Sequence, residues 1–171
     1  MTLELDRTGP PLSAQALEEF EERVGVTLPD EYRQFLLTVN GGWATTDFHH
    51  PLTADGDFGI DCLYGIGIED EYRSMERSLE AYEGRYPSEF LPVGEDPGGN
   101  LVLIQWRGDD VGSIHFWDHE EEADEDEPAT HRNLTRISDG FAAYLEELEP
   151  YELPEEDLAM IAELRRKNGL E

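Results

Sequence analysis

Leu101-Val102-Leu103-Ile104-Gln105-Trp106 is an almost unbroken apolar run in a chain otherwise crowded with charge. It predicts a central strand buried on both faces. Glu95-Asp96-Pro97-Gly98-Gly99-Asn100 precedes it with turn chemistry, and Phe90-Leu91-Pro92-Val93 before that reads as a short strand. Gly108-Asp109-Asp110-Val111-Gly112 follows it with hairpin chemistry. Ser113 to Asp118 then alternates, with Ile114 and Phe116 on one face and His115 and Trp117 on the other. Leu134-Thr135-Arg136-Ile137 reads as a last edge strand.

Helices flank this strand-rich half. Ser13 is an N-cap for a helix whose apolar face is Leu17, Phe20 and Val24, and Gly25 stops it. Pro29 opens a second, with Tyr32, Phe35, Leu36 and Val39 at helical spacing, ended by Asn40-Gly41-Gly42. Residues 43–57 read as an irregular surface loop, and Phe58 to Tyr64 as a strand. Tyr72, Met75, Leu79 and Tyr82 mark a third helix, and Phe141, Tyr144, Leu145 and Leu148 one capped by Ser138. A last helix runs from near Pro154 to Gly169. Its acids Glu155, Glu156 and Asp157 come first and its bases Arg165, Arg166 and Lys167 last, as the helix dipole favours. The expected class is α+β: a single, mainly antiparallel (mixed) sheet with helices on one face and around the edges, plus a C-terminal helix. Residues 1–149 form the expected domain, and residues 150–171 a helical extension packed on it.

The chain has 171 residues and a formal net charge of −29, from 12 basic and 41 acidic side chains. Such a surface excludes strong non-specific binding to nucleic acid or to an anionic membrane, since both need positive charge. A basic protein partner fits instead. Eleven of the twelve bases are Arg and only Lys167 is Lys, so adaptation to a salty cytoplasm is a competing explanation of the acidity. One cysteine, Cys62, allows neither an internal disulfide nor a Cys-pair zinc site. The acidic start and the lack of any membrane-length apolar run predict a cytoplasmic protein.

No chemical motif assembles. The Gly98-Gly99 loop opens a strand and is flanked by Glu95 and Asp96, which would repel phosphate. His115, Asp118, His119 and Glu120 form the best metal-like group, yet His115 and Asp118 fall on opposite faces of a strand. His49 and His50 diverge likewise. Burial and nearby acid should raise the Cys62 thiol pKa and blunt it. The expectation is a protein without enzymatic activity or cofactor. Two groups of acids are candidates for a partner surface: Asp47, Asp55 and Asp57, and the run Glu120, Glu121, Glu122, Asp124, Glu125, Asp126 and Glu127. The plain reading of that run is a solvated, mobile loop. Trp43 and Trp117 are candidate anchors, against the ordinary alternative of core packing.

Leu28-Pro29-Asp30-Glu31-Tyr32-Arg33-Gln34-Phe35-Leu36 with Asn40-Gly41-Gly42 resembles the signature of the SMI1/KNR4 family, in the SUKH superfamily. Phe90-Leu91-Pro92-Val93-Gly94-Glu95-Asp96 leading into Gly98-Gly99-Asn100 is similar too. So are Gly112 with Ile114 to Glu120, and Ser138 to Leu148. The likeness covers about residues 13–149. It implies an α+β fold with one mixed sheet, and a role as an immunity protein that binds and neutralises a cognate toxin, often a nuclease. The alternatives are a regulatory scaffold, as in fungal members, and a metal-dependent hydrolase built on His115, Asp118 and His119. The oligomeric state stays open.

Overall fold

The computed structural model describes residues 3–51, 59–124, 127–150 and 155–167, with backbone alone at 46, 47, 155–158, 161 and 162. Eight strands form one sheet: β1 (Leu5–Asp6), β2 (Gly42–His49), β3 (Gly59–Leu63), β4 (Phe90–Glu95), β5 (Leu101–Gln105), β6 (Ile114–Trp117), β7 (Leu134–Ser138) and β8 (Glu149–Pro150). Their spatial order follows the chain from β1 to β7, and every ladder is antiparallel. The outer side of β2 is shared. β1 pairs with Trp43 and Ala44, and β8 with Phe48 and His49. Five helices complete the α+β fold: α1 (Ala14–Val24), α2 (Asp30–Thr38), α3 (Met75–Ala81), α4 (Phe141–Glu147) and α5 (Glu155–Lys167).

The apolar run is the centre of the molecule. Leu101 to Ile104 of β5 are all buried, so both faces of the strand are covered. On one face Ile104 lies by Pro29, Glu31 and Phe141, where α2 and α4 meet. Tyr32, Phe35 and Phe141 stack there with ring centroids 4.9–5.9 Å apart. On the other face stands a cross-strand row read directly from the register: Trp43, Cys62, Glu95, Leu101, Trp117 and Leu134. Tyr82, just after α3, packs edge-on against Trp117 of that row.

Local signals behave as their chemistry demands. Ser13 Oγ accepts from Ala16 N at 3.1 Å and caps α1. Gly25 ends α1 at φ 76°, a left-handed value natural to glycine. The strand at 58–64 is β3, with Phe58 outside the described residues. Leu134 to Ser138 lies at the end of the strand order, as an edge strand should.

Four readings need correction. Ser138 does not cap α4: it is the last residue of β7, and Gly140 stands at the N-cap with no side-chain bond. Residues 43–57 are not one loop, because Gly42–His49 is strand β2. Trp43, Thr45, Thr46 and Phe48 are aromatic or β-branched, which suits a sheet, and an irregular register between Trp43 and Phe48 hides the alternation. The third helix does not begin at Tyr72. A 3-10 turn, Glu71–Arg73, comes first, and Ser74 stays extended to bridge Gly65 before its side chain caps α3. Tyr72 is thereby left 76% exposed. Trp106 lies beyond β5 and is half-buried rather than interior. The ends proposed for the last helix, Pro154 and Gly169, fall outside the described residues.

Candidate functional site

The acidic run after β6 is fastened to the body at its start. Asp118 Oδ1 accepts from Glu120 N at 2.9 Å, opening a 3-10 turn over His119–Glu121. The His119 ring meets Asn100 Oδ1 at 2.8 Å, and Asn133 Nδ2 donates to Asp118 O at 2.7 Å. Arg85 donates two hydrogen bonds to the Glu122 carboxylate, at 2.9 and 2.7 Å. Its guanidinium also lies 4.7 Å from the Tyr82 ring and 5.5 Å from that of Trp117. Arg132 donates to the carbonyls of Glu121 at 3.0 Å and Glu122 at 2.6 Å.

The expectation of a wholly solvated run is therefore corrected for residues 120–122. Glu122 is committed to Arg85, while Glu120, Glu121, Asp124 and Glu127 face solvent. Glu125 and Asp126 lie outside the described residues. A cleft of roughly 620 Å³ runs between the Glu83–Arg85 turn on one side and Glu122, Ala123, Asp124, Glu127 and Ala129 on the other. Its rim carries Glu83, Asp124 and Glu127.

The second acidic group is not brought to this cleft by any described contact. Asp47 belongs to β2, with its side chain outside the description, and Asp55 and Asp57 lie outside it entirely. Trp43 sits in β2, not in a loop. It is half-buried, with the Arg7 guanidinium 5.2 Å from its ring. Trp117 is fully buried and cannot anchor a partner. Its alternation with Phe116 was legible, but the face it occupies is roofed by Tyr82 and Arg85.

The metal-like residues serve other bonds. His115 Nε2 lies 3.0 Å from Ser113 Oγ, and its ring meets Phe90 edge-on at 4.8 Å. Burial, then the positive charge of Arg136, push its pKa down to about 4. Among the described residues no group of three His, Cys, Asp or Glu side chains could hold a metal ion. Cys62 is buried, and its thiol pKa is driven far up, by burial first and then by Glu95 and Asp61. Glu95 accepts from Tyr64 Oη at 2.9 Å, and burial raises its own pKa.

Sequence reasoning missed Arg85 and Arg132, which fix the acidic run. Their only local mark is a base set among acids and turn residues, a pattern shared with many surface arginines. An antiparallel meander with helices around it and carboxylates along its rim defines an acidic α+β domain. Residues 11–147 match the SMI1 / KNR4 family (SUKH-1), and the chain belongs to that family. The SPbeta prophage-derived uncharacterized protein YokK of Bacillus subtilis (strain 168) is 30% identical over 121 residues. That match covers 62% of each protein, so the chain spans less than two thirds of this relative's length. No helix among the described residues is long and apolar enough to cross a membrane.

Proposed function

We propose that this chain is an immunity protein that binds a cognate toxin carrying a basic surface and neutralises it by occupation. It acts in the cytoplasm, without turnover and without a cofactor. Family membership supports the class. The observation that carries the mechanism is the fastened acidic run. Arg132 holds its backbone at Glu121 and Glu122 and Arg85 holds the Glu122 carboxylate, so Glu120 and Glu121 project from a prepared support, with Asp124 and Glu127 exposed beyond it. Ordering a surface before encounter lowers the entropy lost on binding. Complementary charge also steers encounter, raising association towards about 10⁸–10⁹ M⁻¹s⁻¹ at low salt. A nuclease cleft that grips phosphate is the kind of basic surface such acid fits, because its carboxylates imitate nucleic acid there. The half-buried Trp43 and the acids Asp47, Asp55 and Asp57 remain proposed contacts of a second patch.

The test is co-expression with each candidate toxin found among the neighbouring genes. Replacing Glu120, Glu121, Asp124 and Glu127 together with Ser should abolish neutralisation and flatten the salt dependence of binding. Full protection with an unchanged salt slope would remove the run from the interface.

A further inference from the structure

We infer that an aromatic groove at the C-terminal end of α1 receives an arginine side chain from a basic protein partner, stacked on Trp106 and bonded by Glu18 and Glu22. This deepens the reading above and rests on its basic partner.

The groove measures roughly 460 Å³ and is walled by Glu18, Glu21, Glu22, Val26, Thr27 and Trp106. Its aromatic wall is prepared in advance. Trp106 Nε1 donates to Ser88 O at 3.0 Å and pins the half-buried indole, while its backbone N donates to Glu89 O at 2.9 Å. The chain itself shows what this ring attracts: the Arg107 guanidinium lies 4.9 Å from its centroid. Trp106 lines the groove, whereas Arg107 does not.

The carboxylates are of two kinds. Glu21 is buried and spent: it accepts from Leu28 N at 2.7 Å and pairs with Arg33. Glu18 and Glu22 are exposed, four residues apart on one side of α1, and make no hydrogen bond or ion pair among the described residues. Like charges at that spacing repel. They also lie towards the negative end of the helix dipole, where bases belong, and no acid occupies the first turn. Arg23, the one base in the last turn, is turned away to Glu76 at 3.1 Å. The arrangement weakens the free helix and is relieved by an incoming positive charge. A planar guanidinium suits it better than an ammonium, because it stacks on indole while its edge bonds carboxylates.

An acetylated tetra-arginine peptide is the probe, followed through the three indole N–H resonances of the isotopically labelled full chain, with Trp106→Phe assigning its peak. The Trp106 indole should move furthest and saturate. Glu18→Gln with Glu22→Gln should weaken binding roughly tenfold, the scale of two exposed ion pairs lost while the cation–π contact remains. Glu69→Gln with Glu146→Gln removes the same charge from exposed positions elsewhere and should change affinity by less than about twofold. An unchanged spectrum outside the groove verifies folding of each variant. Equal weakening by both pairs, or a Trp106 shift no larger than that of Trp43 and Trp117, overturns the inference. Because no toxin is present, loss of the groove result leaves the immunity reading standing, and failed neutralisation leaves the peptide result standing.

Discussion

The first two helices use the same acidic residues to opposite effect. In α2, Asp30 and Glu31 occupy the first turn, where the dipole welcomes them. Glu31 does more: its Oε2 accepts from Ala142 N at 2.9 Å and so satisfies a donor at the start of α4. Gly140 leaves the space, since a side chain there would begin 2.8 Å from that same oxygen. In α1 the acids gather from Glu18 to Glu22, and Glu18 and Glu22 stay exposed with no hydrogen bond or ion pair among the described residues. Acid in α2 holds the protein together, as Glu21 does in α1, whereas Glu18 and Glu22 are the acids assigned above to a partner. Local rules are broken where a surface has another task.

The strongest challenge to this contrast is Tyr32→Ala in α2. Tyr32 is fully buried, donates to Tyr64 O at 3.1 Å and packs on Phe35 and Phe141. Chemical denaturation should show a loss of about 3–5 kcal/mol, as for other large aromatics cut to Ala. A loss below about 1 kcal/mol would mean that α2 is as dispensable to the core as the face of α1.

The pH dependence separates the sheet from the rim. His115 titrates near 6.5 in the unfolded chain but at about 4 in the fold. The unfolded state therefore binds more protons in between, and this contribution to stability, full above pH 6.5, is lost as pH falls towards 4. Allowing for the ring's partial contact with solvent, it amounts to about 1–2 kcal/mol. His115→Asn should flatten that part of the stability profile in urea titrations while the affinity for tetra-arginine stays unchanged.

The smallest effect is the most discriminating. Glu31→Lys should cost about 1 kcal/mol through the lost cap on α4 and a base at the wrong end of a dipole. Glu22→Lys should instead stabilise the free protein by about 0.3–1 kcal/mol, while it removes peptide binding. Two identical substitutions with opposite signs in a melting experiment would fix the contrast; two of the same sign would end it.

Much of the fold was legible because its signals are local. The β5 run, the Ser13 cap and the Gly25 stop depend on neighbours in sequence. Strand β2 was not, since a break in its register hides the alternation of Trp43 and Phe48. Neither was the helix start at Met75, which follows from a parallel bridge to the distant Gly65. The acidic surface was legible as composition, but its organisation was not. Arg85 meets Glu122 across 37 positions, and Trp106 meets α1 from the far half of the chain. Burial of Trp117 depends on a roof that alternation alone does not describe.

Two dipeptides, β1 and β8, divide the flank of β2 between them, one from the front of the chain and one from beyond α4. Each contributes few bonds, yet together they occupy backbone donors and acceptors that would otherwise template another molecule's strand. Trimming or fusing a tag too near Leu5 would free half of that row. The penalty would then surface less as unfolding than as stickiness between copies.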